Sequence, residues 1–519
     1  MFRLVMREGT GVCRYEANVS IIPLGEVRER PAIATRRSRT DDSARTRLMR
    51  AALGSGLIYS VYLAFAFLPR YIMQPKVHLF NALGNGVFAP ILYTLGIIVL
   101  FALSITAWRA VRDATGWEVR LWALAPPLVF ALLLLLTMPL TSRDIFFYAM
   151  SGRVLSIYGQ NPYTVAPSAF PHDPLFVFSN WPDYTSPYGP IWLVVSGGLT
   201  RLAGDDITRS VLLLKLVAVG GYLACGGLIG AILRTRRRAV LPGMVFWLWN
   251  PLVLIEFAGA GHNDVLMLAG LLLGLWLYLR GWLRLAFGAV ALAAMVKLVA
   301  LVILPILLWH RLMALNSWRA RIWETVRLAW VPAIVTALCL VPFWAGEATL
   351  GPVKESDHYY SSAGHIARIM LEWFLPPRPA GDLVKGTIVA ILLVGYGLIL
   401  WRTPGDDKRL LAACTSAMLL LIVLWPFFVP WYCAWAVAMV ATLGSGRVGR
   451  RVLILCLGAT LSYIFQLYLP VRMTTSVEFR STLSAILIFC PFAISLLPWG
   501  VWLGRLRDDS VPAPLSAFD

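Results

Sequence analysis

The residues best suited to chemistry fall in four short stretches. In the first, Thr141-Ser142-Arg143-Asp144 follows directly on an apolar run. A carboxylate in such a place can take a proton from a hydroxyl group. It can equally cap a helix: Ser142 is a good N-cap residue, and an acid in the first turn suits the helix dipole. The stretch runs on through Gly152-Arg153 to Gly159-Gln160-Asn161-Pro162-Tyr163 and ends Trp181-Pro182-Asp183-Tyr184-Thr185-Ser186-Pro187-Tyr188-Gly189-Pro190. Turn formers alternate with aromatics throughout, as in a rigid loop at a membrane interface, where aromatics also form an ordinary belt. The second stretch, Glu256 followed by Gly261-His262-Asn263-Asp264, sets four polar side chains at a glycine-rich turn, either as a site or as a capped helix start at Asn263. The third holds Lys354, Glu355, Asp357, His358, His365 and Arg368, and the fourth is the aromatic turn Pro426-Phe-Phe-Val-Pro430-Trp431-Tyr432. The six histidines show no HExxH or other metal-ligand spacing, so neither a metal nor a cofactor is expected.

These stretches punctuate a chain whose bulk belongs in lipid. Of 519 residues, 59% are hydrophobic and 14% charged. The mean hydropathy is +0.71. Soluble domains carry about 25% charged residues, and no water-soluble fold hides so much apolar surface. The net charge of +19 does not signal nucleic acid. The basic residues sit in short clusters between apolar runs, as cytoplasmic loops do, and form no contiguous basic face. Six of the seven cysteines lie inside apolar runs without metal or disulfide spacing and read as small fillers; Cys13 lies near the N-terminus. Residues 1–48 are Arg-rich and lack the apolar core of a signal peptide, so they read as a basic, disordered cytoplasmic arm.

The expected architecture is an all-α integral membrane protein with about 12–14 membrane segments. The membrane domain covers 49–505, and 506–519 is a cytoplasmic tail. Spans are expected near 50–69, 87–108 and 121–140. The basic arm and the 109–120 loop (Arg109, Arg112, Arg120) belong in the cytoplasm, which puts the 141–187 loop outside. The residues after Asp144 read as a short amphipathic helix with Ile145, Tyr148 and Ala149 able to face lipid. The segments near 188–203 and 210–233 cannot both cross fully, because Arg234–Arg238 should lie inside. The run 285–310 must go out and back, with Lys297 at the outer turn, since a charge at bilayer depth is costly. Further spans near 328–344, 387–402, 409–428, 431–443, 452–470 and 482–503 leave 345–386 as a second outer loop and both termini inside. Polar groups then gather at the outer face from at least three distant parts of the chain, as in a site open to a lipid-linked substrate from the side and a polar one from above.

The series Asp144, Gly152-Arg153, Tyr158-Gly159, Asn161-Pro162-Tyr163, Ser186-Pro187-Tyr188-Gly189-Pro190 and Gly261-His262-Asn263-Asp264 resembles the GT-C membrane glycosyltransferases. Among them it is most similar to the polyprenol-phosphomannose-dependent alpha-mannosyltransferases of actinobacterial lipomannan and lipid mannoside synthesis. The likeness spans roughly 50–500, with two more spans ahead of the acidic loop than many members have. It implies a GT-C-like helical bundle in a bacterial plasma membrane, a polyprenyl-phosphate sugar donor and a glycan or glycolipid acceptor at the extracytoplasmic face. Asp144 matches the family's general base, which takes the acceptor proton in an inverting displacement. Phosphate is a good leaving group and needs cations rather than an acid. Arg143, Arg153, Lys297, Arg368 and Arg472 are the candidates, with Asn161, Tyr163, Tyr188, His262 and Asp264 as further substrate contacts. The alternative is a transporter or flippase of lipid-linked sugars, but no internal repeat or mid-membrane polar break supports it.

Overall fold

A computed structural model describes residues 31–68, 88–112, 114–139, 141–350, 359–444, 446–468 and 475–496. Among them the chain is helical, with two isolated bridges (Phe67 with Thr137, Tyr360 with Phe427) and no strand. Lipid leaves no alternative, because each peptide group must find its partner within its own segment. The helices are α1 (Pro31–Ala66), α2 (Phe88–Ala110), α3 (Trp117–Leu135), α4 (Asp144–Ser156), α5 (Pro190–Ala203), α6 (Ile207–Thr235), α7 (Val240–Leu248), α8 (Pro251–Leu254), α9 (Asp264–Leu279), α10 (Leu283–Ala294) and α11 (Ile303–Met313). They continue as α12 (Trp318–Leu340), α13 (Ala363–Glu372), α14 (Pro377–Arg402), α15 (Asp407–Leu424), α16 (Cys433–Leu443), α17 (Arg447–Tyr463) and α18 (Val477–Leu496). Polar residues stand where helices begin: Asp206, Ser317, Ser362 and Asp406 each accept a hydrogen bond from a backbone N–H in the first turn.

Among the described residues eight helices are long and apolar enough to cross a membrane, or nine if α7 and the segment 251–259, bent by 55°, form one span. Five more apolar helices have 10–17 residues. Of the remaining expected segments among the described residues, most are these shorter helices, while α15, with 18 residues, carries Asp407, Lys408 and Arg409 in its first turn. The stretch 188–233 resolves the same way. α6, with 29 residues, is the full-length span, whereas α5 has 14 and reaches only about 21 Å. α5 instead packs along α4, where a Cβ on Gly152 would stand 2.6 Å from the Ser196 carbonyl carbon.

Two further expectations need correction. The described part of the 1–48 arm is helical from Pro31, and Ala44 and Leu48 are fully buried; residues 1–30 lie outside the described residues, as does the 506–519 tail. α4 is not amphipathic toward lipid. Ile145 through Val154 are all buried, because α5 and the loop that follows α4 cover the face expected to meet the bilayer.

The helices run between two chemically different ends. At one end Arg236 Nη1 donates to the Thr442 carbonyl (3.0 Å), Arg451 Nε to that of Ser495 (3.2 Å), His310 Nε2 to that of Gly405 (3.3 Å), and Arg45 pairs with Glu118 (2.5 Å). α3, α10 and α15 start at this basic end and finish at the other; α9 and α16 run back. α10 rises to Lys297, and the chain then returns through α11 to His310, so it does turn back at that lysine.

Candidate active site

Five segments meet at the far end of the bundle: 141–148, 186–192, 256–264, Lys297 and 431–435. The second begins with a backbone join. Gly189 N donates to the Val296 carbonyl and Ile191 N to that of Met295, both at 3.1 Å. A Cβ on Gly189 would overlap the Met295 carbonyl, so only glycine lets the Ser-Pro-Tyr-Gly-Pro turn approach this closely. The join holds Tyr188 beside the turn that carries Lys297.

Lys297 Nζ sits 2.9 Å from Asp264 Oδ1 and 3.1 Å from Oδ2. Trp435 Nε1 donates to Asp264 Oδ1 at 2.8 Å. The ammonium also lies over the rings of Tyr432 (4.7 Å) and Trp435 (5.5 Å), a cation–π cage built by two residues one turn apart. Asp264 is fully buried, while the lysine side chain keeps 20% of its surface open.

The turn before Asp264 has its own cause. α8 runs into a π-helical turn, Ile255–Gly259, an irregularity often found at functional sites. Gly261 then adopts φ +78°, a region a side chain rarely tolerates. Together they bring Glu256 and His262 face to face, with Nε2 3.2 Å from Glu256 Oε2. Thr141 Oγ1 donates to that same oxygen at 3.2 Å. His262 Nδ1 lies 3.2 Å from the Tyr148 hydroxyl, and its ring stacks on Trp431 at 3.8 Å. Asn263 is fully buried, and its amide has no partner among the described residues, so it is free to meet a polar group in the site.

Asp144 stands half-buried at the start of α4, with its N–H donating to Ser142 Oγ at 3.2 Å. It lies within electrostatic reach of Lys297, Tyr188 and Tyr432. Arg143 precedes it, also half-buried. The site thus holds one sequestered carboxylate, Asp264, one half-buried carboxylate, Asp144, and an ammonium that pairs with the first and lies within electrostatic reach of the second.

Other expected contacts are committed elsewhere. Arg153 Nε donates to Asp173 (2.6 Å), Nη1 to the Gly204 carbonyl (2.6 Å) and Nη2 to Asp205 (2.7 Å). Its guanidinium fastens the acidic loop to the α5–α6 turn. Asn161 Nδ2 donates to the Phe343 carbonyl (2.9 Å), while its Oδ1 accepts from Tyr163 N (3.0 Å). The Tyr163 hydroxyl donates to the Tyr188 carbonyl (2.8 Å), so the Asn-Pro-Tyr motif braces the Ser-Pro-Tyr-Gly-Pro turn. Arg368 pairs with Glu372 (3.3 Å) and Glu478 (2.9 Å) on α13, apart from these five segments. Lys354, Glu355, Asp357, His358 and Arg472 lie outside the described residues.

Three contributors were not singled out from sequence. Trp435 is hidden in an apolar run, though its spacing from Tyr432 is a helical i, i+3 pair. Thr141 was named only as the start of the first stretch, with no role of its own. Lys215, in the middle of the 210–233 run, is fully buried and donates to the carbonyls of Leu134 (2.7 Å) and Thr137 (2.6 Å), where α3 ends. A charge inside an apolar run was the available signal.

Residues 49–315 match the family model described as alpha-(1->6)-mannopyranosyltransferase, N-terminal domain. That segment includes Asp144, Tyr188, Glu256, His262, Asp264 and Lys297; the 431–435 turn lies beyond it. The chain is 26% identical over 376 residues to alpha-(1->6)-mannopyranosyltransferase A of Mycobacterium tuberculosis, covering 68% of this chain and 70% of the relative. It is 25% identical over 351 residues to the protein of the same name in Corynebacterium glutamicum, covering 62% and 70%. A shorter stretch of 159 residues is 30% identical to alpha-(1->6)-mannopyranosyltransferase B of Corynebacterium glutamicum, covering 30% and 26%. No solved structure matches the chain significantly.

Proposed function

Because the chain belongs to the alpha-(1->6)-mannopyranosyltransferase family, we propose that it transfers mannose from a polyprenyl-phosphate donor to a mannan or mannolipid acceptor, with Asp144 as general base at the extracytoplasmic face. It is an integral membrane glycosyltransferase, acting between a sugar donor and a glycan acceptor in the bilayer. The observation that supports the finer reading is the contrast between the two carboxylates. Asp264 is held by Lys297 and Trp435 and has no exposed surface, whereas Asp144 is half-buried and within electrostatic reach of the same lysine.

In the transfer, the acceptor hydroxyl gives its proton to Asp144 as its oxygen attacks the anomeric carbon. The bond from that carbon to the phosphate oxygen breaks, and polyprenyl phosphate leaves from the opposite face. A beta-linked donor then gives an alpha-mannoside. Lys297 and Arg143, the cations beside Asp144, would oppose the charge that develops on the phosphate. The extracytoplasmic assignment, with both termini in the cytoplasm, rests on the basic clusters at the opposite end of the bundle.

The test is incubation of membranes carrying the protein with labelled polyprenyl phosphomannose and an alkyl alpha-(1->6)-dimannoside, followed by linkage analysis. Asp144→Asn is expected to lower transfer by about 10²-fold or more. Full activity in that variant would refute the base assignment, and retention of the donor's anomeric configuration would refute inversion.

A further inference from the structure

Glu256 and His262 are both fully buried. A buried carboxylate is costly unless paired, so their presence asks for a reason. The contacts around them form a closed ring. Asp144 and Tyr148 lie four residues apart on α4, one turn above the other on the same face. The Tyr148 hydroxyl lies 3.2 Å from His262 Nδ1, and His262 Nε2 lies 3.2 Å from Glu256 Oε2, a close contact without hydrogen-bond geometry. Glu256 accepts from Thr141, three residues before Asp144. Ser142, between them, accepts from the Asp144 N–H. The ring therefore grips the first turn of α4 from both sides, and Asp144 is the residue at its open edge.

We propose that Glu256 and His262 are positioning residues for Asp144. Glu256 turns the imidazole so that Nε2 faces the carboxylate and Nδ1 is left to receive the Tyr148 O–H. That bond fixes the rotation of α4 about its axis, and the bond to Thr141 fixes the height at which the helix starts. Trp431 stacks on the imidazole and closes the fourth side, which ties the brace to the turn bearing Tyr432 and hence to the Lys297 cage. The carboxylate of Asp144 then meets the acceptor hydroxyl at one distance rather than many. An error of about 1 Å in such a placement costs roughly 10²-fold in rate.

This inference rests on Asp144 being the base, and the experiment separates the two. The full-length protein in nanodiscs is assayed with polyprenyl phosphomannose and the alkyl dimannoside. His262→Phe keeps the ring stacked on Trp431 and loses the bond to Tyr148; Tyr148→Phe loses the same bond from the other side. Each is expected to lower kcat by about 10-fold or more with KM for both substrates within about 2-fold, and the double variant to lose no more than either alone. His262→Gln, which keeps an acceptor, is expected to recover part of the loss. In an Asp144→Glu background, where the carboxylate is already displaced, His262→Phe is expected to cost less than about 3-fold. Losses that multiply in that background, or that appear in KM, would overturn the positioning role. If Asp144→Asn is inactive while His262→Phe is fully active, the positioning role alone falls. Full activity of Asp144→Asn overturns both readings.

Discussion

Lys297 and Asp264, 33 residues apart in sequence, form an ion pair in which the carboxylate is completely enclosed while the lysine side chain keeps 20% of its surface exposed. The lysine is also within electrostatic reach of Asp144.

Removing the lysine strands a buried charge. Lys297→Met is expected to destabilise the protein by about 3–5 kcal/mol, read as a fall in melting temperature in detergent. Lys297→Met combined with Asp264→Leu removes both charges and is expected to regain most of that stability while remaining inactive. Recovery of transfer in the double variant would show that the lysine has no part in the chemistry.

Gly189→Ala tests the close approach of the Ser-Pro-Tyr-Gly-Pro turn to Met295. The added methyl group must push the two backbones apart, at a cost of about 1–3 kcal/mol, and transfer is expected to fall with stability. Gly198→Ala, two turns into α5 with nothing within 4 Å, is the control and is expected to leave both unchanged.

Arg153→Lys separates a structural clamp from a phosphate ligand. Lysine cannot reach Asp173, Gly204 and Asp205 together, and the Asp173 side chain is fully buried. The variant is expected to lose about 1–3 kcal/mol and to be cleaved faster by protease in the 159–187 loop, with donor KM within about 2-fold. A large rise in donor KM without loss of stability would return Arg153 to the substrate.

His365 on α13 carries a pH prediction. Burial holds its pKa below the usual histidine value, with Nε2 facing the Thr482 hydroxyl at 3.1 Å and the Glu478 carbonyl at 3.4 Å. Arg368, Glu372 and Glu478 are the charged groups around it. In the window from 6.5 down to the lowered folded pKa, the unfolded segment binds more protons than the folded one, so stability falls as pH falls and then levels off. The protection factors of α13 amides, exchange rates corrected for the intrinsic rate at each pH, are expected to be lower at pH 5.5 than at 7.5, and His365→Gln to flatten that difference. Equal protection factors at both pH values in the unaltered protein would contradict it.

Much was legible in the residues alone. The hydropathy and the basic clusters specified a helical membrane protein, the two-ended charge pattern and the turn at Lys297. These are local properties: a run of about 20 apolar residues must become a helix in lipid, and an isolated lysine must reach an interface. The Asp144, Ser-Pro-Tyr-Gly-Pro and His-Asn-Asp motifs were also visible, and they carried the family likeness.

The tertiary structure decided how those motifs are held. Asp264 and Asp144 look alike in sequence, yet only packing shows that one is enclosed by Lys297 and Trp435 while the other is half-buried. Arg153, Asn161 and Tyr163 read as candidate substrate contacts, and their hydrogen bonds to Asp173, Gly204, Phe343 and the Tyr188 carbonyl could not be read from the sequence, because these partners are set by the path of the chain rather than by neighbouring residues. Trp435 and Lys215 gave little sign of themselves, being placed by helices that meet only in the folded bundle. Hydrophobic periodicity is a property of one segment, whereas a hydrogen bond spanning more than 100 residues, such as that from Thr141 to Glu256, depends on every segment between.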